Sequence, residues 1–197
     1  LRERYHKPSF VLTRGEEGVK GSGRSIESYS MYEKLCECKE YLTKFGGHPM
    51  AAGLSLEEEN VENFRRKLNE QSGLTEEDLV EKVTIDVPMP IHYIRKDLVQ
   101  ELSLLEPFGK GNEKPLFAQK NLWVSQMRVF GKNRNVVKMR LTDENGYPMD
   151  GVYFGNGDAF AEEGKGKRKI SIVYYPDINI YQGRESLQVI IRHYQFE

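Results

Sequence analysis

Residues 45–53 read Phe45-Gly46-Gly47-His48-Pro49-Met50-Ala51-Ala52-Gly53, and the fold of the first third of the chain turns on how this stretch is read. Two glycines precede the histidine; a proline and small residues follow it. Glycine reaches dihedrals that other residues avoid and lets backbone come close to a ligand. A histidine held on such a turn can donate to a phosphate or a base. An amphipathic helix is predicted just before it, because Met31, Leu35, Cys38, Leu42 and Phe45 recur at helical spacing and so share one face. The plain alternative is a helix C-cap glycine followed by a buried turn, and local chemistry leaves both readings open.

On the N-terminal side, Phe10 to Thr13 predicts a short strand, Arg14 to Gly18 a turn, and a second strand follows. Next comes Gly21-Ser22-Gly23-Arg24-Ser25, ahead of the helix. On the C-terminal side, Ser55-Leu56-Glu57-Glu58 has the capping-box form, and Val61, Phe64 and Leu68 continue that helix until Gly73. Residues 1–80 therefore predict a small α+β layer with helices covering a sheet. Residues 81–115 predict a linker strand carrying two prolines, over Lys82 to Ile91. A connecting helix follows on Ile94, Leu98, Leu102 and Leu105, stopped by Pro107.

From Leu116 the pattern changes. Strand-like runs stand at 116–130, 136–142, 149–154, 170–175 and 186–194, separated by glycine or asparagine turns, with a short helix fitting at 158–163. Five strands with a helix between the third and fourth is the order of an OB-fold barrel, predicted for 116–197. The fold class is α+β: a small α+β domain, a connecting helix and a five-stranded OB-fold β-barrel.

The 197 residues suffice for two small domains or one larger one. No stretch approaches the roughly 20 apolar residues of a membrane helix, and no secretory signal is visible. Cys36 and Cys38 stand two apart on the predicted helix, so their side chains diverge; both read as reduced, in a cytoplasmic protein. The chain opens Leu1-Arg2-Glu3-Arg4 without methionine, which suggests an excised or processed piece. A net charge of −1 hides an asymmetry. Leu54 to Asp86 holds ten acidic and four basic residues, whereas Pro107 to Arg140 holds eight basic and one acidic. Charge so separated makes a local field.

Gly21-Ser22-Gly23-Arg24-Ser25 combines flexible backbone, hydroxyls and a guanidinium, which suit phosphate oxygens. It lacks the Gly-Lys-Ser/Thr ending of a P-loop, and Ser25 serves equally as a helix N-cap. Pro107-Phe108-Gly109-Lys110-Gly111-Asn112-Glu113-Lys114-Pro115, a glycine-rich loop with an aromatic and two lysines, reads either as a segment that orders on a backbone phosphate or, preferred, as a rigid connector between helix and barrel whose aromatic packs inward. Arg128, Lys132, Arg134, Lys138 and Arg140 cluster on the first barrel hairpin, with Phe130, Tyr147, Tyr153 and Phe154 near in sequence. Basic residues interleaved with one or two exposed rings are what single-stranded nucleic acid needs. Two-metal phosphoryl hydrolysis needs converging Asp and His ligands. With only His6, His48, His92 and His193, and no Asp-His-His triplet, no such centre is expected in this chain.

Gly21–Ser25, Phe45–Gly53 and Glu106-Pro107-Phe108-Gly109-Lys110-Gly111-Asn112-Glu113-Lys114-Pro115-Leu116-Phe117 occur in this order in the RecJ family of bacterial single-strand-specific 5′-to-3′ DNA exonucleases, within the DHH phosphoesterase superfamily. The chain resembles the C-terminal half of that family, DHHA1 domain plus OB-fold, over nearly all its length. The resemblance implies a parent nuclease of DNA repair and recombination whose Mn2+ or Mg2+ ions sit in a DHH domain absent from this sequence, so the piece alone is expected to be inactive and to hold no cofactor. It implies that Arg24 and Gly46, Gly47 and His48 face the DNA, with His48 supporting charge on the substrate phosphate; the chemistry of their loops adds Ser22, Gly23, Ser25 and Lys110 as candidate nucleic-acid contacts. Partners implied are single-stranded DNA, the DHH domain and a single-strand-binding protein, with no membrane. Two other readings stand beside it: a freestanding OB-fold module for nucleic acid or protein, and part of another DHH-superfamily oligonucleotide phosphoesterase.

Overall fold

The computed structural model of the chain describes residues 2–16, 18–109 and 111–197. Two compact units result, Leu1–Val83 and Thr84–Glu197.

The first unit runs α1 (Arg2–Tyr5), β1 (Ser9–Gly15), β2 (Gly18–Arg24), α2 (Met31–Glu37), β3 (Lys44–His48), β4 (Ala51–Leu56) and α3 (Val61–Glu70). Its sheet has the order β1-β2-β4-β3, antiparallel throughout. Val19, Leu54 and Leu56 from the sheet join Met31, Leu35 and Phe64 from the helices in one core, with Phe10, Leu12 and Phe45 packed against it. The helices thus cover one face, and the other is left open.

The expected helix over 31–45 stops at Glu37. A 3-10 turn covers Lys39–Tyr41, and 44–48 is an edge strand. Phe45 still reaches the core, but as the inward residue of a strand whose Lys44, Gly46 and His48 are exposed. The two glycines weaken helix here and cost the edge strand nothing in lost contacts. Ser55 caps no helix either. It lies in β4, and α3 begins six residues later, after a 3-10 turn at Glu58–Asn60, with no side-chain cap on Asn60.

The second unit runs β5 (Val87–Pro88), α4 (Lys96–Ser103), β6 (Phe117–Phe130), β7 (Val136–Thr142), β8 (Pro148–Phe154), α5 (Gly157–Glu163), β9 (Lys169–Tyr181) and β10 (Arg184–Phe196). Neighbours follow the order β6-β7-β8-β10-β9, and β9 pairs back onto β6 to close the barrel. Only β8 and β10 pair in parallel among these five. This is the five-stranded OB-fold barrel, with α5 between its third and fourth strands as the sequence implies. Strand β6 is long enough to pair on both sides because two register breaks, between Gln119 and Leu122 and between Ser125 and Arg128, bend it. Phe160 of α5 plugs the interior, stacked on Tyr153 at 4.6 Å and edge-on to Phe196. Tyr153 is therefore a core ring.

Residues 84–115, read from sequence as a separate linker, pack with the barrel. Ile91 and Ile94 are buried in its core, and the Tyr174 hydroxyl donates to the Met89 carbonyl at 2.6 Å. The prolines confine the linker strand to β5. α4 presents Val99 and Leu102 to the core and ends at Ser103, leaving Leu105 51% exposed.

Candidate nucleic-acid interface

On the open face of the first sheet, the register sorts side chains into three rows. Arg24, Ala51 and His48 lie side by side, then Ser22, Gly53 and Gly46, then Lys20, Ser55 and Lys44. The middle strand β4 contributes only Ala51, Gly53 and Ser55 to this face. The result is a trough along β4, with Arg24 and His48 at one end, Lys20 and Lys44 at the other, and few side chains between them.

Gly46 and Gly53 explain themselves poorly by folding. An added Cβ would meet nothing within 4 Å at Gly46 and only the Gly21 carbonyl oxygen, at 3.8 Å, at Gly53. Gly47 is the opposite case. Its φ is +150°, and a Cβ would stand 2.4 Å from the Ala51 carbonyl oxygen, so only glycine fits.

Arg24 donates through Nη1 to the Ser22 hydroxyl at 3.2 Å and to the Gly23 carbonyl at 2.8 Å, and it has no carboxylate partner among the described residues. The guanidinium is thereby laid along the trough wall. The Met50 backbone N–H donates to His48 Nδ1 at 3.2 Å, which assigns the proton of the neutral ring to Nε2. His48 thus presents a donor outward. Two expected contacts lie elsewhere. Ser25 is buried, its hydroxyl donating to the Tyr29 carbonyl, and the N-cap of α2 is Ser30. Gly23 faces the core, where a Cβ would strike Met31 and Phe10. Lys110 lies outside the described residues. Its neighbouring loop is closed by Asn112, which donates to the carbonyls of Leu105 and Pro107, and Phe108 lies half-buried under the Lys114 ammonium.

On the barrel, β6, β7 and β8 form the second face. Phe130, Val136 and Phe154 make one row, with the two rings 44% and 60% exposed. Arg128, Lys138 and Val152 make the next, then Ser125, Arg140 and Asp150. These rows line a shallow groove that also takes in Asn179 and Gln188 of the β9–β10 hairpin. Arg128, Lys132 and Lys138 have no ion pair among the described residues. Arg140 is held by Asp150 at 2.5 Å. Arg134 faces away: its Nε contacts both Asp158 oxygens at 2.8 Å, pinning the β6–β7 loop to α5. That pairing holds Asp158 below the usual carboxylate range and raises Arg134. Arg134 is thus a structural fastener, its charge already matched.

Sequence reasoning missed Lys20, Lys44 and Arg192. Alternation exposes them only once the strands are known: Lys20 precedes Ser22 by two in β2, Lys44 precedes Gly46 by two in β3, and Arg192 is exposed at the register shift between Ile191 and His193 of β10. It also missed a part-buried pair, His92 Nδ1 to the buried Asp143 Oδ2 at 2.8 Å. Burial pushes the Asp143 carboxyl up. Donation from the Tyr147 N–H, the His92 ring and the Asn145 N–H outweighs that and leaves it below its ordinary value. Among the described residues no cluster of three or more His, Cys, Asp or Glu could hold a metal ion, and no helix is long and apolar enough to cross a membrane.

The family model for the RecJ OB domain matches residues 85–193, and that for the DHHA1 domain residues 1–73. The chain is 37% identical over 196 residues to the single-stranded-DNA-specific exonuclease RecJ of Bacillus subtilis, covering 98% of this chain and 25% of that protein. It is 33% identical over 199 residues to the RecJ of Salmonella typhimurium, covering 97% and 34%. It thus spans a quarter to a third of the length of these relatives. Among solved structures, RecJ of Thermus thermophilus in complex with Mg2+ superposes with a TM-score of 0.80 at 24% identity, over 98% of this chain and 29% of that one. A second structure of that protein carries Mn2+. The chain belongs to the RecJ family, of which it carries the DHHA1 and OB domains.

Proposed function

We propose that these residues are the strand-gripping part of a 5′-to-3′ exonuclease specific for single-stranded DNA, acting in DNA repair and recombination. The observation that carries this reading is the trough on β4. Gly46 and Gly53 keep its floor bare where the fold makes no such demand, as close approach of a sugar-phosphate backbone requires. Arg24 and His48 supply hydrogen-bond donors and charge to phosphoryl oxygens at one end. On the barrel, Phe130 and Phe154 offer faces for bases while Arg128, Lys132 and Lys138 track phosphates. Both devices suit unpaired, flexible strand; a duplex hides its base faces.

The relatives named above are three to four times longer than this chain. The Thermus structures carry Mg2+ or Mn2+, and the resemblance to RecJ points to a DHH domain as the place of such ions and of the bond-breaking step. This chain's share is to bind the strand and orient it. A cytoplasmic location and a single-strand-binding protein as partner accord with that role.

The test is the longer enzyme with Arg24→Ala, His48→Ala or Gly46→Val. Each should keep the wild-type melting temperature while degrading single strands at least about tenfold more slowly, one such lost contact being comparable to ~1.4 kcal/mol of barrier. Wild-type rates in all three would contradict the reading.

A further inference from the structure

We propose that Lys20 and Lys44 form a second phosphate subsite, two nucleotides along the strand from the phosphate held by Arg24 and His48. This rests on the reading of the trough as a strand-binding surface. The two donor pairs stand at opposite ends of the same floor. Arg24 and His48 flank Ala51, and Lys20 and Lys44 flank Ser55. Four residue steps separate Ala51 from Ser55, about 14 Å at roughly 3.4 Å per step of antiparallel strand. Phosphates of a stacked strand rise about 3.4 Å each, and an extended strand spreads them to roughly twice that. The two donor pairs therefore match the first and third phosphates of an extended strand, with the small-residue Ser22–Gly53–Gly46 row beneath the second.

Three further features favour a phosphate at the lysine end. The surface is concave there, lined by Lys20, Thr43, Lys44, Gly46, Gly53 and Ser55. Lys44 has no ion pair among the described residues. The outward positions in register, from Ser9, Val11 and Thr13 of β1 across to β3, include four cationic or imidazole side chains and no carboxylate. A lysine pair over small residues reads charge and not base identity, as a moving strand requires.

The experiment is an amide-resolved NMR titration of the whole chain with dithymidylate, which has one phosphate, and tetrathymidylate, which has three. The sheet amides report the trough separately from the barrel. In the wild type, tetrathymidylate should bind the trough about tenfold more tightly than dithymidylate, through the second anchoring point. Lys44→Ala should lower tetrathymidylate affinity about fivefold and its salt slope by about 0.7, leave dithymidylate affinity unchanged, and be rescued by Lys44→Arg. Equal loss for both lengths, or no loss, overturns the subsite while Arg24 and His48 still respond to dithymidylate. Tetraglutamate shifting the same amides as strongly also overturns it, as a general anion patch. Absence of any sheet response to either oligonucleotide overturns the strand-binding reading itself, and the subsite with it.

Discussion

At Gly47 the positive φ and the 2.4 Å approach of a virtual Cβ to the Ala51 carbonyl oxygen make glycine a condition of folding. One residue earlier, at Gly46, nothing in the fold resists a side chain. Mutation should separate the two. Gly47→Ala should destabilise the first unit by about 1–3 kcal/mol in denaturant melts. Gly46→Val should leave the melt unchanged within about 0.5 kcal/mol yet weaken trough binding. Loss of stability in both variants would mean the bare floor serves folding after all. Asp143 gives a residue-scale prediction in pH. Its folded-state pKa is depressed, so its contribution to stability is present above the ordinary carboxylate range, near 3.9, and is lost as pH falls through the folded value. Asp143→Asn should remove that part of the acid sensitivity in urea melts at pH 2 to 7. It should also cost about 1–3 kcal/mol at neutral pH, because three donors lose a charged acceptor. An unchanged acid limb would contradict the assignment. His48 was legible as an exposed candidate because a histidine after two glycines is hard to explain as core. Lys44 was not, since a lone lysine carries no signal until its strand is known.

Among elements, β3 is where sequence periodicity misled. Met31, Leu35 and Cys38 do share a buried helical face, but Leu42 and Phe45 reach the same core from a turn and a strand. A spacing of three or four can arise from either geometry when the chain bends back on one core. The first three barrel strands were readable nearly to the residue, because β7 alternates buried Val137, Met139 and Leu141 with outward Lys138 and Arg140, whereas β9 runs on to Tyr181 and β10 starts at Arg184, a hairpin longer than the runs 170–175 and 186–194. What alternation could not give is which basic residue stays free. Arg134 and Lys138 look alike in sequence, but only Arg134 meets a carboxylate, Asp158, across 24 residues. Lys138→Ala or Arg128→Ala should therefore each flatten the salt dependence of single-strand binding by about 0.7 in log–log slope, while Arg134→Ala should leave the slope alone and lower stability instead. Phe130→Ala and Phe154→Ala should each cost about 1–3 kcal/mol of strand affinity, measured by anisotropy. Slopes that fall equally for all three basic variants would place Arg134 on the binding face.

Over the whole chain, a net charge near zero conceals an acidic stretch between Leu54 and Asp86 and a basic one from Pro107 to Arg140, so overall charge says little about partners. Each unit, taken by itself, leaves one sheet face uncovered by its own helices. In the first, helices cover only the back of a sheet. In the second, α5 and the 3-10 turn at Ile91–Tyr93 fill the interior and leave the β6–β7–β8 face to solvent. Each open face is cationic without being apolar throughout, which favours a flexible polyanion over a second protein core. The most direct check is fluorescence anisotropy of a labelled single strand with the whole chain, over a salt series and with duplex as competitor. Binding that weakens linearly with the logarithm of salt and is displaced by unlabelled single strand but not by duplex is the expected result. Binding indifferent to salt, or displaced equally by duplex, would contradict a surface built to grip single-stranded DNA.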